Sequence, residues 1–380
     1  MQKKIIALAV AGLVSGGAFA QSNVTISGQF RVGFESVSAS GATAAGTNLV
    51  SRTRVVDDNS NIKFAGEEAL GGGTSAWFQV ESAIGTDNNR GTAGANDAAT
   101  NLTTIGTRNT AVGLKGGWGT FLMGKWDAHY NSMAGIEGAG LADGLALGAN
   151  SLSLFHRVNG TAGAGGGRLD NVVAYVSPSF SGFSALIAYS TSPTASETTV
   201  AGTAQKDSGW NLNLKYGNGP IAVSYSHLAV NNAASATTDT RGDRLGAAYT
   251  FPMGFKVGLI WDKSKFSDIA AAVTSFDRSA WALPLSYRTG PHNITFTYAK
   301  ANQVNSSAGN VADSGSKMTV LGYEYAMSKR TSVSATYAAI NNENAAVYDF
   351  WHPSSSVSAG AVAPAGSDPR KVHIGLKHTF

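Results

Sequence analysis

Apolar and polar side chains alternate along much of this chain with a period of two. WNLNLKY places Trp210, Leu212, Leu214 and Tyr216 on one side and Asn211, Asn213 and Lys215 on the other. IAVSYSH, NITFTYAK and SVSATYA repeat the pattern, and the final VHIGLKHTF sets Val372, Ile374 and Leu376 against His373, Gly375 and Lys377 before ending on Phe380. A period of two means a strand with one apolar and one polar face. A soluble sandwich alternates in the same way, so periodicity alone leaves open what covers the apolar side.

The connections narrow the choice. The pattern predicts strands over 23–36, 59–67, 74–84, 107–115, 118–126, 168–177, 181–190, 208–217, 219–228, 241–251, 254–263, 276–287, 290–300, 316–327, 329–340 and 369–380, sixteen in all. Tight turns such as KGGWG, SPSFSG, YGNGP, FPMGF, RTGPH and MSKRT take turns with longer segments rich in Gly, Ala, Ser, Asn and Thr. Short turns at one end and long loops at the other belong to bacterial outer-membrane barrels, with the short turns in the periplasm. Trp210, Tyr216, Trp261, Trp281, Tyr287, Tyr323 and Tyr325 stand where strands would meet the membrane interfaces, as girdle aromatics do. No later stretch is apolar for the roughly eighteen residues that a membrane helix needs. Strands in lipid must close on themselves, because an open edge would strand peptide groups without partners. The expected fold is all-β: a 16-stranded antiparallel transmembrane β-barrel.

The first residues, MQKKIIALAVAGLVSGGAFA, combine Lys3 and Lys4, an apolar run and Ala18-Phe19-Ala20, so residues 1–20 read as a cleaved signal peptide and 21–380 as the barrel. The expected destination is the cell outer membrane. Two of the 28 basic residues fall in the leader and none of the 24 acidic ones, so the remainder carries a formal charge of +2. That gives no bulk electrostatic case for nucleic acid. Cysteine is absent, and the seven histidines are scattered without ligand spacing, so neither a disulfide nor a metal site is expected. GTFLMGKW imitates a phosphate loop, but Trp126 stands where Ser or Thr should meet magnesium, on a strand where a helix should start. No Gly-x-Ser-x-Gly elbow occurs. The composition therefore suits a passive, cofactor-free channel rather than an enzyme; a barrel enzyme such as a lipase and a secreted carbohydrate-binding β-protein are the alternatives.

Several stretches resemble the Gram-negative general porins of the β-proteobacterial type. NVTISGQF is similar to the family's first strand, NIKFAGEEALGGGTSAWFQVES to its second hairpin, RNTAVGLKGGWGTFLMGKWD to its fourth and fifth strands, and NVVAYVSPSFSGF to its sixth strand and following turn. The ending GLKHTF matches its last strand, including the histidine third from the end. The resemblance implies a water-filled outer-membrane channel for diffusion of small hydrophilic solutes and ions, assembled as a homotrimer among outer-membrane lipid and lipopolysaccharide. It also implies that the last strand closes on the first, and that Phe380 is both a lipid-facing side chain and a label read by the barrel-assembly machinery.

The same resemblance implies a constriction where the third external loop, 127–167, folds inward across from a wall of bases. The family's first-strand base falls on Gln29, with Arg31 two residues further on the same face. Two further family bases are lost around Ser60–Gly66, where Lys63 appears between them, and those of strands four and five fall on Arg108 and Lys125. The expected constriction is thus Arg31, Lys63, Arg108 and Lys125 facing Glu137 and Asp143, with a weak preference for anions.

Overall fold

Alternation becomes a ladder in the computed structural model, which describes residues 24–87, 105–128, 146, 149–155, 157–158, 161–162, 167–193, 208–231, 238–268, 275–351, 355–358 and 362–380. The expected signal peptide lies outside the described residues, as do Glu137 and Asp143. Among the described residues sixteen antiparallel strands form one closed wall: β1 (Thr25–Ser40), β2 in two pieces (Leu49–Asp57 and Asn61–Gly71), β3 (Thr74–Ala83), β4 (Thr110–Gly116), β5 (Gly119–Asp127), β6 (Arg168–Val176), β7 (Phe183–Ser190) and β8 (Ser208–Asn218). The second half is β9 (Ile221–Asn231), β10 (Thr238–Thr250), β11 (Phe255–Asp268), β12 (Ser275–Thr289), β13 (His292–Ala301), β14 (Ser316–Ala326), β15 (Thr331–Asn342) and β16 (Asp368–Thr379). Each strand pairs with its chain neighbour, and β16 returns to β1 in an unbroken register from Gln29↔Thr379 to Ser40↔Asp368. Among the described strands no edge is left unpaired.

Turn chemistry permits the short connections. Gly182 has φ +89°, and a Cβ there would stand 2.5 Å from the carbonyl oxygen of Gly217, so the turn into β7 needs a residue without a side chain. At the seam, Gly28 exchanges both backbone hydrogen bonds with Phe380, each 3.1 Å, and the Phe380 ring lies where a Gly28 side chain would be.

The second strand departs furthest from its expected extent, while β1 and β11 run four and five residues beyond theirs. The second wall strand starts at Leu49, ten residues earlier than Asp-Asp-Asn-Ser suggests, and those turn-forming residues make a break inside it. Asn59 has φ 80°, Asp57 Oδ1 accepts from the Asn59 and Ser60 amides at 2.8 and 3.0 Å, and Ser60 Oγ accepts from the Arg31 amide at 2.9 Å. The kink is satisfied by side chains and β1 stays paired on both sides of it.

The two faces of the wall divide as the alternation requires. Outward positions carry exposed apolar side chains, among them Phe30, Phe34, Leu214, Leu259, Leu321 and Ile374. Towards the loop end they finish at Trp210, Trp261, Trp281 and Tyr298, with ring centroids 4.8 Å apart for Tyr189–Trp210 and 5.4 Å for Trp281–Tyr298. Towards the turn end they finish at Tyr249, Phe255, Tyr287, Tyr323 and Tyr325. These two bands are the aromatic girdles expected at the two rims of a membrane barrel.

Most inward positions are small or polar, but the densest packing lies inside the barrel, where a few larger apolar side chains also point inward. Ile260, Ala280, Ala282, Ala299, Ala301, Met318, Val320, Ala338 and Ile340 of the β11–β15 wall are covered by two external loops. One supplies the single-turn helix α1 (Leu152–Phe155) and the other supplies Ala346, Tyr348 and Phe350. Alanines line this wall because the loop side chains occupy the space in front of them.

Candidate functional site: a lumen narrowed by two loops

The loop after β5 and the loop between β15 and β16 are held to opposite walls by charged side chains on inward strand positions. On one wall, Asp262 of β11 receives Arg244 of β10 at 3.2 Å and Arg278 of β12 at 2.8 Å, all three without solvent exposure. Arg278 also donates to the carbonyls of Leu154 and Phe155, the latter at 3.0 Å, and Arg244 lies 4.9 Å over the Phe155 ring. The final turn of α1 leaves carbonyls without helical partners, and the guanidinium answers them.

The facing wall repeats the device. Glu35 of β1 receives Arg54 of β2 at 2.6 Å and Lys371 of β16 at 3.1 Å. Their remaining donors reach the last loop: Lys371 Nζ to the Ser355 carbonyl at 2.8 Å and Oγ at 2.9 Å, Arg54 Nη2 to the Ser356 carbonyl at 2.7 Å. Lys371 also stands 4.6 Å over the Phe350 ring. Beside this group His373 Nε2 meets Asp58 at 2.7 Å. In each triad one carboxylate serves two bases; on the Glu35 wall the neighbouring Asp58 supplies a second carboxylate, so the excess of base lies in the Asp262 group.

Within the last loop Asp349 is the organising residue. Its carboxylate accepts from the amides of Phe350 at 2.7 Å, Val357 at 3.0 and 3.1 Å, and Ser358 at 2.9 Å, and from Ser358 Oγ at 2.9 Å. Burial nevertheless pushes its pKa above the ordinary carboxylate value, because desolvation of the charged form outweighs those bonds. The Trp351 amide donates to Ser153 Oγ at 3.1 Å, joining the two inward loops.

The residues singled out from the sequence fall in different places. Arg31 points inward from β1 and is buried, opposite Lys377 of β16, whose ammonium pairs with Glu324 at 3.3 Å. Below it, Gln29, Arg31, Arg288, Glu324 and Lys377 line a vestibule of about 410 Å³ at the periplasmic end. Lys63 sits on β2 opposite Ser27 and Glu81, and Arg108 reaches the same Glu81 at 2.6 Å, so these three charges share one inward patch. Lys125 is set opposite Thr110 on the parity of Val112 and Met123, whose side chains are exposed on the outer surface. Its ammonium lies 2.9 Å from Asp170, at a register irregularity between Gly124 and Trp126. The structure thus brings Arg31, Lys63 and Arg108 to the lumen and leaves Lys125 apart from them.

Sequence reasoning passed over Glu35, Arg54, Arg244, Asp262, Arg278 and Lys371. The available signal was charge on the inward parity of otherwise alternating strands, in GDRLGAAY, WDKSKF, DRSAWAL and RKVHIGL. A charge on that parity in a barrel faces water or a partner.

A closed sixteen-strand wall with charged, loop-narrowed interior and apolar exterior defines a membrane diffusion channel. Residues 7–345 match the family model described as Gram-negative porin, and the chain belongs to that family. It is an outer-membrane porin, forming a passive channel for small hydrophilic solutes and ions. It is 27% identical over 386 residues to outer membrane porin protein 32 of Delftia acidovorans, covering 100% of both chains. Against the major outer membrane protein P.IB of Neisseria gonorrhoeae it is 27% identical over 346 residues, covering 87% of this chain and 91% of the relative. Among solved structures, an anion-selective porin from Comamonas acidovorans superposes with a TM-score of 0.73 at 22% identity, covering 95% of this chain and 100% of the other. The outer-membrane expressed OmpT of Vibrio cholerae gives 0.65 at 14% identity, covering 94% and 98%.

Proposed function

We propose that the channel carries no catalytic step, prefers anions weakly, and works as a homotrimer embedded in outer-membrane lipid and lipopolysaccharide after insertion by the barrel-assembly machinery. The observation that carries the ionic preference is the sharing of Asp262 by Arg244 and Arg278, two bases set against one carboxylate on the wall of the neck. Fixed charges of one sign in a water-filled neck raise the local concentration of the opposite ion without excluding its partner. The name of the Comamonas acidovorans structure, an anion-selective porin, agrees with this reading.

The test is a reversal potential across a potassium chloride gradient on refolded protein in a planar bilayer. A modest anion-weighted potential is expected; cation preference overturns the proposal. Absence of stepwise conductance would return the enzyme and the carbohydrate-binding alternatives to the front. For the trimer, unheated and boiled detergent extracts are compared on a gel, and a band at monomer mass in both lanes counts against it.

A further inference from the structure

The vestibule at the periplasmic end of the lumen holds bases that the neck does not use. Two rungs of inward positions build its wall. Arg31 of β1 lies opposite Lys377 of β16, which lies opposite Ser332 of β15. On the next rung towards the neck, Glu324 of β14 lies opposite Asn293 of β13, and Asn293 opposite Arg288 of β12. The turn between β14 and β15 adds Lys329 and Arg330 at the rim. The cavity, about 410 Å³, is thus lined by five Arg and Lys side chains and by a single carboxylate, Glu324.

Glu324 is already committed. It pairs with Lys377 at 3.3 Å and accepts from Ser332 Oγ at 2.7 Å. Among the described residues Arg288, Lys329 and Arg330 stand in no ion pair, the chain-end carboxylate of Phe380 included. The neck differs in this respect. Arg278, Arg54 and Lys371 give their donors to Asp262, Glu35 and loop carbonyls, so they act on a passing ion through their field. In the vestibule two guanidinium forks and an ammonium are open to a solute directly. Such a set is complementary to an anion with several acceptor oxygens and more than one charge, because the guanidinium offers parallel N–H donors and the ammonium a compact charge. Chloride has neither the oxygens nor the second charge.

We infer that the vestibule is a binding site for phosphate dianions, with Arg288, Lys329 and Arg330 as the binding residues and Glu324 as the group that limits affinity. A carboxylate on the same wall keeps occupancy brief, and conduction needs a site that a solute can leave as readily as it enters. The inference rests on the channel reading and not on the ionic preference of the neck, because Arg244, Arg278 and Asp262 take no part in it.

The experiment is single-channel recording of the refolded protein in potassium chloride at mildly alkaline pH, with inorganic phosphate added to one chamber at a time at constant ionic strength. Phosphate is expected to reduce the chloride current saturably from one side, at a concentration about tenfold lower than from the other, the loss of a charge-assisted contact being worth about that factor. The variant Arg288→Gln, Lys329→Gln, Arg330→Gln is expected to erase the difference between sides while still opening in steps, and Glu324→Gln to lower the effective concentration further. Equal action from both sides, an equal effect of nitrate in place of phosphate, or an undiminished difference in the conducting variant overturns the site. Glycerol phosphate, tried in parallel, separates the free ion from its monoesters: equal action assigns the shared phosphoryl group, and no action restricts the site to the free ion. One-sided phosphate action in a channel that prefers cations keeps the site and overturns only the reading of the neck. Where no steps are seen, calorimetric titration of inorganic phosphate into the detergent-solubilised wild-type protein decides, and the absence of a saturable heat overturns the proposal.

Discussion

Glu35 is closed off from solvent and holds two cations, Arg54 at 2.6 Å and Lys371 at 3.1 Å. Neutralising it leaves both bases facing each other across a buried gap, a change that costs about 3–5 kcal/mol where one partner of a buried pair is removed. Glu35→Gln is therefore expected to lower, by several degrees, the temperature at which the folded band disappears on a semi-native gel. Adding Lys371→Met should recover part of the loss, because the remaining Arg54 still has the Ser356 carbonyl. Selectivity is decided by different residues. Lys63→Glu should move the reversal potential towards cations, and Lys125→Glu should leave it unchanged, because only the first faces the lumen. Dilute salt gives the clearer contrast, with a Debye length of about 10 Å at 0.1 M and about 3 Å at 1 M. A shift with Lys125→Glu would place that side chain in the conduction path. Arg31 and Lys63 could be assigned to the inner face from alternation alone. Lys125 shares the outward parity of Phe121 and Met123, so alternation alone set it outside the lumen; the family resemblance, not the periodicity, placed it in the basic wall.

Loops rather than strands set the width of the neck. The segment between β15 and β16 is held by Asp349, whose carboxylate satisfies three backbone amides and a hydroxyl. Asp349→Ala leaves those donors unanswered, at about 1–3 kcal/mol for each buried group, and is expected to release the loop and raise single-channel conductance. The carboxyl also gives the docked loop a pH dependence. Its docked pKa is raised above the ordinary 3.8, so docking takes up a proton. The penalty for burying the charge is absent below 3.8, grows as pH rises, and is complete above the docked value. Acidification from neutrality should thus tighten the loop and lower conductance, with a flatter profile in Asp349→Ala; identical profiles would remove Asp349 from this role. The strands were readable from their period of two, whereas the inward course of these loops was not. Ala280, Ala282, Ala299 and Ala338 look like any small inward residues, and the groups that cover them stand far away in the chain, at Leu154, Phe155 and Phe350. The misplaced start of β2 has a similar cause: Asp57 to Ser60 carry turn chemistry that tertiary pairing overrides.

At the scale of the molecule, Phe380 extends the closing seam by one residue without being needed to form it. Phe380 exchanges two backbone hydrogen bonds with Gly28 and sets its ring 5.8 Å from Phe30. Removing it leaves the twelve register pairs between β1 and β16 in place, so the barrel should still form. The amount reaching the outer membrane is nevertheless expected to fall several-fold, measured by surface labelling against a co-expressed barrel. Wild-type levels of the truncated protein would show that the terminal ring is structural only.

The seam between β1 and β16 also sets the order of events in folding. Every other wall contact joins chain neighbours, whereas Gln29 must find Thr379, about 350 residues later. Enlarging a closed loop from about 20 to about 350 residues adds only about 2.5 kcal/mol of chain entropy, so closure is thermodynamically cheap. Its difficulty is kinetic, since the most non-local contact can form only after the rest of the chain has left the ribosome and crossed the inner membrane. Until then the growing sheet exposes two free edges, each a template for pairing with another chain. The N-terminal strand of this porin is thus the first to be made and the last to be completed.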